Sequence, residues 1–282
     1  MPELPEVETV VRNLRVPLIG RTVQSMSYDW PRTIHSPSPD AFAERIVGQT
    51  FRAIERRAKY IVAALDHDFL MVHLKMTGRL YVTDTNEVHD ADKWVHFRLG
   101  LDEGKELRFS DARKFGKVYL TADPEIITGT LGPEPLTDDF TEVIFRERLQ
   151  HRSKNIKALL LDQTFIAGVG NIYADESLFR AGIHPLRRSD SLTDDEIIRL
   201  YGTVRDALNA GIDYEGASIS WYRKPDGTKG SSQEHFLVYD QEGKPCQNCG
   251  TMIEKIRVAQ RGTHYCPACQ RLAEGSSNGD KL

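Results

Sequence analysis

Apolar residues recur at helical spacing close to the N-terminus. They follow an i, i+3, i+4, i+7 pattern, which predicts an amphipathic helix over residues 5–18. Its apolar positions are Val7, Val10, Val11 and Leu14. Pro5 suits a helix start and Pro17 is expected to end the helix. Such a helix would hold the preceding residues rigidly against a core.

From about residue 21 to residue 122 the pattern changes to short apolar runs separated by turn residues. Strands are predicted at 22–27, 60–65, 70–74, 79–83, 95–101, 107–110 and 117–120. Turns are expected at 66–68 and 102–104, which are rich in Asp and Gly. So many short strands in about a hundred residues favour an antiparallel sandwich or barrel.

Beyond the segment LGPEPL at 131–136 the pattern becomes helical. Helices are predicted at 140–148, 155–161, 171–181 and 193–209. Thr193 and Glu196 have capping-box spacing at the start of the last helix. The fold class is therefore α+β, with a domain boundary near residue 133. The segment 275–280 lacks apolar residues, and the tail over 273–282 is expected to be disordered.

Length and composition favour a two-domain globular protein. No apolar run approaches the ~20 residues that span a membrane, and the N-terminus lacks the pattern of a secretory signal, so we expect a cytoplasmic protein. The net charge of −4 argues against a nucleic-acid partner only weakly, because binding depends on where charge lies. Five basic residues lie between 244 and 271, against one acidic residue, Glu254.

The cysteines are confined to one short segment, as Cys246-x2-Cys249 and Cys266-x2-Cys269. Two such pairs on paired turns predict one tetrahedral zinc ion. With sulfur in every ligand position, the metal would be structural. Two reduced pairs without metal are the alternative. The strand-like stretch between the pairs carries Arg257 and Arg261, so the finger could reach phosphates or serve as a protein-docking knob.

The N-terminus offers nucleophilic chemistry. If Met1 is removed, Pro2 becomes a secondary α-amine, which titrates near pH 8 and can form an imine-type intermediate. Glu3 is a candidate proton donor beside it, and Glu6 follows within one turn. An early proline that merely starts a helix is the alternative. Similarly, Gly168-Val169-Gly170 is either a tight turn or a phosphate-binding helix start.

Several long motifs, in order, resemble the formamidopyrimidine-DNA glycosylase family. They are PELPEVETV at 2–10, LGPEPL at 131–136, GVGNIYA at 168–174, ESLF at 176–179 and the four-cysteine finger. The resemblance implies an antiparallel β-sandwich flanked by helices over 1–132 and a helix–two-turns–helix domain over 133–235. A zinc finger would follow over 236–272. It also implies that double-stranded DNA is gripped in a cleft between these parts.

The resemblance assigns catalytic roles to four positions. Pro2 would be the nucleophile, Glu3 the adjacent acid and Lys59 the proton carrier for β-elimination. Arg261 would bind phosphates beside the lesion and is associated with δ-elimination. On charge alone, Lys59 could equally be a basic residue at a strand start.

The resemblance also implies DNA contacts. Asn171, Lys157 and Arg152 would bind the backbone. Met76, Arg113 and Phe115 would fill the void left by an extruded base, with Arg113 facing the orphaned cytosine. Without the resemblance, Met76 would be assigned to the core and Arg113 to a surface turn.

Two segments depart from the family pattern. Trp94-Val95-His96 keeps only the second histidine of a His-x-His pattern, so His96 is the DNA contact that remains. The segment 216–223 replaces a commoner Gly-Gly-Ser/Thr pattern. In that segment Ser218, Trp221 and Tyr222 are the candidates for contacting an extruded base, as part of a mobile lid over 215–233. A surface loop whose aromatic residues pack on the last helix is the alternative.

The sequence thus predicts a monomeric glycosylase and abasic-site lyase acting on oxidised purines, with no catalytic metal or small-molecule cofactor. An endonuclease VIII-like enzyme for oxidised pyrimidines is the alternative within the family. A DNA-binding or scaffold protein without activity is the alternative from another class. Intact Pro2, Glu3 and Lys59 argue against the latter.

Overall fold

The structure, a computed structural model, describes residues 1–150 and 152–272. The predicted disordered tail over 273–282 lies outside these residues. Two compact units are formed: Met1–Thr130 with Ile212–Gln233, and Leu131–Gly211 with the described residues from Glu234 onward. The boundary predicted near residue 133 is close to this division. The segment 212–233, which we expected in the helical domain, belongs to the first unit. A division into independently folding domains stays a prediction.

Two β-sheets and three helices make up most of the first unit. The helices are α1 (Leu4–Leu18), α2 (Pro39–Ile46) and α3 (Glu125–Thr128). The strands are β1 (Val23–Tyr28), β2 (Ile34–Ser36), β3 (Ala53–Arg57), β4 (Tyr60–Ala64), β5 (Phe69–His73), β6 (Gly78–Asp84), β7 (Val95–Leu101), β8 (Lys105–Asp111) and β9 (Lys117–Thr121). One sheet has the order β1-β7-β8-β6 and the other β2-β9-β5-β4-β3. The pairing is antiparallel except between β2 and β9, which run parallel.

The apolar stripe of α1 packs into one core shared by the two sheets. Val10 and Leu14 are buried there with Phe97 and Phe109 of one sheet and Val72 of the other. This confirms the predicted β-sandwich and the amphipathic first helix. Pro17 lies in the last turn of α1 and the helix ends one residue later, as its missing N–H and ring predict.

The described residues of the second unit form four α-helices and a hairpin. The helices are α4 (Glu142–Leu149), α5 (Ile156–Leu160), α6 (Asn171–Ala181) and α7 (Asp194–Asp213, whose last two residues belong to the first unit), and the hairpin pairs β10 (Glu254–Val258) with β11 (Arg261–Tyr265). The capping box before α7 is present, since the Glu196 N–H donates to Thr193 Oγ1 and the Thr193 N–H donates to Glu196 Oε2.

The buried carboxylate of Glu176 on α6 organises the chain that leads into the finger. It accepts the backbone N–H groups of Leu237, Val238 and Tyr239 at 2.9–3.0 Å. Burial raises the pKa of Glu176 despite these donors. Next to it, Phe179 and Val238 pack with Cys246 and Cys266, so α6 and the finger share an apolar cluster.

Candidate functional site

The residue predicted to be the nucleophile, Pro2, lies immediately before α1 and is buried, whereas Met1 is about half exposed. Glu3 is the N-cap of α1 and is also buried, at 3% exposure. Its backbone N–H donates to Glu6 Oε2 at 2.8 Å, which closes a capping box between the two residues. The terminus is therefore held by a helix start, as a reactive amine requires.

Glu6 ties this helix start to the segment 212–233 within the same unit. Its other carboxylate oxygen, Oε1, accepts the backbone N–H of Ala217 at 2.8 Å. The preceding Gly216 has φ +82°, and a Cβ at that position would lie 2.9 Å from Glu6 Cγ and from the Tyr222 ring. Glycine is therefore required both for the backbone conformation and for the close approach of the two segments.

Lys59 lies in the two-residue turn between β3 and β4, after Ala58 with φ +54°. It is 95% buried rather than a solvated residue at a strand start. The turn is linked to α1, because Glu8 binds Arg56 at 3.1 Å and Arg56 Nη1 donates to the Ala58 carbonyl at 3.1 Å.

His73, at the end of β5, shares this electrostatic environment. Burial, reinforced by the positive charges of Lys75 and Lys59, lowers the pKa of His73 to about 3. Its Nδ1 accepts the Lys75 N–H at 3.0 Å. The imidazole is therefore a neutral acceptor at any pH near neutrality.

Met76, Arg113 and Phe115, predicted to fill the void beside an extruded base, lie together on the surface. Arg113 Nη1 is 3.0 Å from Met76 Sδ, and the guanidinium lies 4.8 Å from the centroid of the Phe115 ring. Met76 and Phe115 are 41% and 49% exposed. Exposed apolar side chains stacked on a cation can insert between bases.

The buried carboxylate of Asp111 holds this group in place. It accepts the Thr77 hydroxyl, the Arg113 N–H at 3.3 Å and the Gly116 N–H at 2.6 Å. The Thr77 hydroxyl oxygen in turn accepts the Arg113 N–H at 3.1 Å. Asp111 thus fixes the turn that carries Arg113 and Phe115.

His96 is not placed as a DNA contact, which corrects the prediction. The β7–β8 register shifts between Val95 and Phe97, so His96 is the extra residue of a bulge. Its side chain is 92% buried, and Nδ1 lies 2.6 Å from Asp29 Oδ1. The Nε2 atom is also buried, so the ring presents no polar atom to a duplex from this position.

The segment 215–233 is tied down at several points. Ser218 is buried, its N–H donates to Gln233 Oε1 at 2.7 Å, and its hydroxyl oxygen accepts the Gly230 N–H at 3.0 Å. Tyr222 lies in the core of the first unit with its hydroxyl donating to the Glu215 carbonyl, so the prediction that its ring faces an extruded base is wrong. Burial raises the pKa of Tyr222.

Trp221 remains 47% exposed and packs edge-to-face on Trp94 with 5.3 Å between ring centroids. Both residues border a cavity of about 420 Å³ within the first unit. Thr77, Arg79, Ser110 and Arg223 also line it. Arg79 donates to the Pro225 carbonyl at 3.0 Å and lies over the Tyr81 ring. Trp94 and the segment 216–223, which both depart from the family pattern, therefore meet at this cavity through the contact of Trp94 with Trp221.

In the second unit, Asn171 and Arg261 are brought close together. Asn171 is the first residue of α6, after Gly168 with φ +85°, and its Nδ2 donates to the carbonyl of Gly262 at 2.9 Å. The hairpin turn at Ala259 and Gln260 has positive φ at both residues, so Arg261 begins β11 in an exposed position.

Lys157 was predicted to bind the DNA backbone, but its side chain does not lie at the surface. Its side chain has no exposed surface and lies 2.6 Å from Asp175 Oδ1, itself fully buried. The ammonium also donates to Thr263 Oγ1 at 2.7 Å. Lys157 is one of the four buried residues of the five-residue helix α5. Arg152, by contrast, is exposed, as a backbone contact requires.

The four cysteines form one cluster, with their Sγ atoms all within 4.8 Å of one another. Cys246 and Cys269 are 3.9 Å apart, and Cys249 and Cys266 are 3.5 Å apart. Four sulfurs about 2.3 Å from a tetrahedral zinc ion would be about 3.8 Å apart, so the residues fit this metal. Each position is sulfur, so the centre is structural.

Three family models match successive parts of the chain. The formamidopyrimidine-DNA glycosylase N-terminal domain matches residues 1–118, and its H2TH domain matches residues 131–223. A zinc finger found in the same family and in IleRS matches residues 243–272.

The chain belongs to the formamidopyrimidine-DNA glycosylase family.

Relatives in this family match over nearly the whole chain. The formamidopyrimidine-DNA glycosylase of Chloroflexus aggregans is 48% identical over 97% of this chain and 100% of its own length. That of Bacillus subtilis is 40% identical over 96% of this chain and 99% of its own length.

Two similar solved structures are complexes of the Lactococcus lactis member of the family. One contains a mutant with DNA carrying Fapy-dG, with a TM-score of 0.89 and 36% identity. The other contains an abasic site in DNA, with a TM-score of 0.88 and 36% identity. Each comparison covers 96% of this chain and 100% of the other.

Glu6 and Asp111 help to organise the candidate site, and neither was predicted from the sequence to do so. Glu6 was noted only for its distance from Pro2, although the Glu3-x-x-Glu6 spacing is a capping-box signal. Asp111 stands at a strand end five residues before Gly116, a spacing that suits a carboxylate-capped turn.

Proposed function

We propose that this protein is a base-excision-repair enzyme that removes oxidised purines from double-stranded DNA and then cleaves the abasic strand. The observation that carries this proposal is the contact of Arg113 with Met76 and Phe115, in the unit that also contains Pro2 and Glu3. An exposed wedge with a base-pairing cation suits an enzyme that extrudes a purine and leaves its partner base unpaired.

The first chemical step uses the amine of Pro2. While Met1 is attached, the Pro2 nitrogen is an amide, so Met1 must be removed first. The amine then attacks C1′ of the damaged nucleotide, and the bond to the base breaks. The departing base takes a proton, for which Glu3 is the nearest acid in sequence. The Glu3 carboxylate then takes the proton of the Pro2 nitrogen and passes it to O4′ as the C1′–O4′ bond breaks. The product is an iminium that joins Pro2 to the opened sugar.

Strand cleavage follows from the acidity of the iminium. The positive nitrogen makes the C2′ hydrogen removable, and β-elimination expels the 3′ phosphate. Lys59 moves protons in this step. The buried turn and its link through Arg56 to α1 support this role, because they fix Lys59 relative to the helix that follows Pro2. A second, δ-elimination then releases the 5′ phosphate, and Arg261 assists it.

DNA binding relies on backbone contacts from the second unit. Asn171 Nδ2 carries a second N–H beyond the one given to Gly262, and Arg261 is exposed beside it. Arg152 adds a third contact. Such phosphate contacts position the duplex without reading its sequence. We place the protein in the cytoplasm, acting as a monomer on the chromosome.

Borohydride trapping on abasic-site DNA tests the nucleophile. Processed protein should give a covalent protein–DNA adduct, because borohydride reduces the iminium to a stable amine. Pro2→Gly should weaken the adduct, and protein that retains Met1 should give none. Lys59→Met should still trap but cleave slowly. An adduct of full strength with the retained Met1 would overturn the assignment of Pro2, and a protein that never traps would indicate a DNA-binding protein without activity.

Oxidised pyrimidines are the second candidate substrate. A similar solved structure contains the wild-type Lactococcus lactis enzyme with oxidised-pyrimidine DNA, at a TM-score of 0.87. The group formed by Met76, Arg113 and Phe115 favours purines, since its cation faces a cytosine. Excision rates from duplexes that carry 8-oxoguanine or an oxidised pyrimidine decide between them. Faster excision of the pyrimidine would place the protein with the endonuclease VIII-like enzymes.

A further inference from the structure

The buried ion pair of Lys157 and Asp175 lies at the joint between α5, α6 and the finger hairpin. Both side chains have no exposed surface, and Lys157 Nζ is 2.6 Å from Asp175 Oδ1. Taking two charges out of water is costly, and a buried pair contributes little net stability compared with an apolar pair. The buried ion pair at this joint therefore points to a role in fixing the positions of the residues around it.

The pair holds the three residues that follow Arg261. Lys157 Nζ donates to Thr263 Oγ1 at 2.7 Å and to the Gly262 carbonyl at 3.3 Å. Asp175 Oδ2 accepts the backbone N–H of His264 at 2.9 Å. Residues 262–264 are thus fixed to the helices by both charges.

The same strand segment is bound by Asn171. Its Nδ2 donates to the Gly262 carbonyl, which Lys157 also approaches. Asn171 and Asp175 are four residues apart on α6 and therefore share one face of that helix. The proposed phosphate contacts Asn171 and Arg261 are consequently linked through Gly262 and the buried pair.

We propose that Lys157 and Asp175 are positioning residues that set the fingertip Arg261 against Asn171, so that both reach phosphates without rearrangement. This rests on the proposed DNA-binding function. In this proposal Lys157 does not bind a phosphate itself, as the sequence predicted, but positions the residues that do. The pair acts through the Gly262 carbonyl, the Thr263 hydroxyl and the His264 N–H.

A charge-removal series tests this with the zinc-loaded full chain and a duplex that contains a tetrahydrofuran abasic analogue. The variants are Lys157→Met, Asp175→Asn and the double variant. Asn still accepts the His264 N–H, so the double variant removes both charges and keeps that bond. The exposed pair Arg188 and Asp190, 2.6 Å apart, supplies the control double variant Arg188→Met/Asp190→Asn.

Each single variant leaves one buried charge without its partner. We expect each to weaken DNA binding by about tenfold or more. The slope of log K against log salt should also become shallower, by ~0.9 for each phosphate that the protein no longer neutralises. The double variant should stay weakened, because Lys157→Met also removes the bonds to Thr263 Oγ1 and to the Gly262 carbonyl. The ratio of δ- to β-elimination products should fall in all three variants, because it reports on the position of Arg261.

Other outcomes overturn the proposal. If the salt slope becomes shallower in Lys157→Met and in the double variant but not in Asp175→Asn, Lys157 binds DNA directly. If all variants bind like the wild type but unfold more easily, the pair serves only folding. Should a single variant fail to fold, the double variant decides alone: binding at the affinity of the wild type with the finger folded overturns the idea. Failure of the wild type to bind the duplex refutes the proposed function instead.

Discussion

At the scale of single residues, Glu6 connects the start of α1 to the segment 212–233 of the first unit. One carboxylate oxygen accepts the N–H of Glu3 beside Pro2, the proposed nucleophile, and the other accepts the N–H of Ala217. Glu6 is 1% exposed, so neither donor has water as a substitute partner. The side chain of Glu6 therefore helps to position both the N-terminus, with the proposed nucleophile Pro2, and the segment 212–233.

Replacing Glu6 by Gln tests this dependence. The amide nitrogen of Gln would face one of the two N–H groups, leaving a buried donor unpaired at a cost of about 1–3 kcal/mol. Urea unfolding should show this decrease in stability, and the rate of borohydride trapping should fall with it. The exposed Glu103, replaced by Gln, should change the free energy of unfolding by less than about 1 kcal/mol. Equal effects of the two substitutions would contradict the role of Glu6.

The buried His73 predicts a pH dependence of stability. Its pKa is about 3 in the folded protein, against 6.5 for an exposed histidine. Between these values the unfolded chain binds a proton that the folded chain does not. The stability contribution is therefore complete above pH ~6.5 and falls as the pH drops towards 3, by at most about 1.4 kcal/mol per pH unit.

Urea unfolding of the wild type and of His73→Gln, from pH 7.5 to pH 4, measures this contribution. Gln keeps an acceptor for the Lys75 N–H but does not titrate. The stability of the variant should depend less steeply on pH than that of the wild type. Parallel curves would show that His73 is not the group responsible.

The sequence predicts chemistry at single residues better than it predicts burial. Spacing alone indicated the zinc ligands, and the motifs indicated the Met76, Arg113 and Phe115 group that the structure brings together. Burial of Lys157, His96 and Tyr222 depends on a partner far along the chain or on a bulge, and neither leaves a local signal. Motif identity therefore did not decide which polar groups face solvent.

At the scale of elements, periodicity located most helices and strands. The predicted bounds of α6 and β7 agree with the structure, because each has a strong turn or glycine before it. Helix α2 was not predicted, since eight residues give few turns of periodicity, although Ser38 accepts the Ala41 N–H as an N-cap. The parallel pairing of β2 with β9 was also not predicted, because strand partners are set by the whole sheet.

The edge-to-face pair of Trp94 and Trp221 joins the segment 215–233 to the residues before β7. Such pairs contribute about 0.5–1.5 kcal/mol beyond the burial of their area. If the segment retains an extruded base, Trp221→Ala and Trp94→Ala should both slow excision of 8-oxoguanine. Cleavage at a preformed abasic site, which has no base to hold, should stay nearly unchanged.

Ile219→Ala is the matched control, since Ile219 is similarly exposed in the same segment. Equal decreases in rate on the two substrates would mean that the tryptophan pair supports the fold rather than the base. An effect of Trp221→Ala without one of Trp94→Ala would locate the contact on Trp221 alone.

At the scale of the whole molecule, the zinc centre is expected to control one unit only. Metal binding energy is local folding energy, so Cys249→Ser should remove zinc and abolish DNA binding. The thermal transition of the first unit, whose core contains Phe97 and Phe109, should persist. Metal analysis, DNA binding and circular dichroism measure these outcomes. Zinc-free protein with full activity would contradict this role for the metal.

The first unit is built from two separate stretches of the chain, with Leu131–Gly211 inserted between them. During synthesis, the sandwich emerges from the ribosome long before Ala217. At about 5–20 residues per second, the roughly 80 inserted residues delay that donor by several seconds. Through this interval one buried oxygen of Glu6 has no Ala217 N–H to accept. The nascent sandwich therefore lacks this bond throughout the interval, and a slow codon between 131 and 211 would lengthen it.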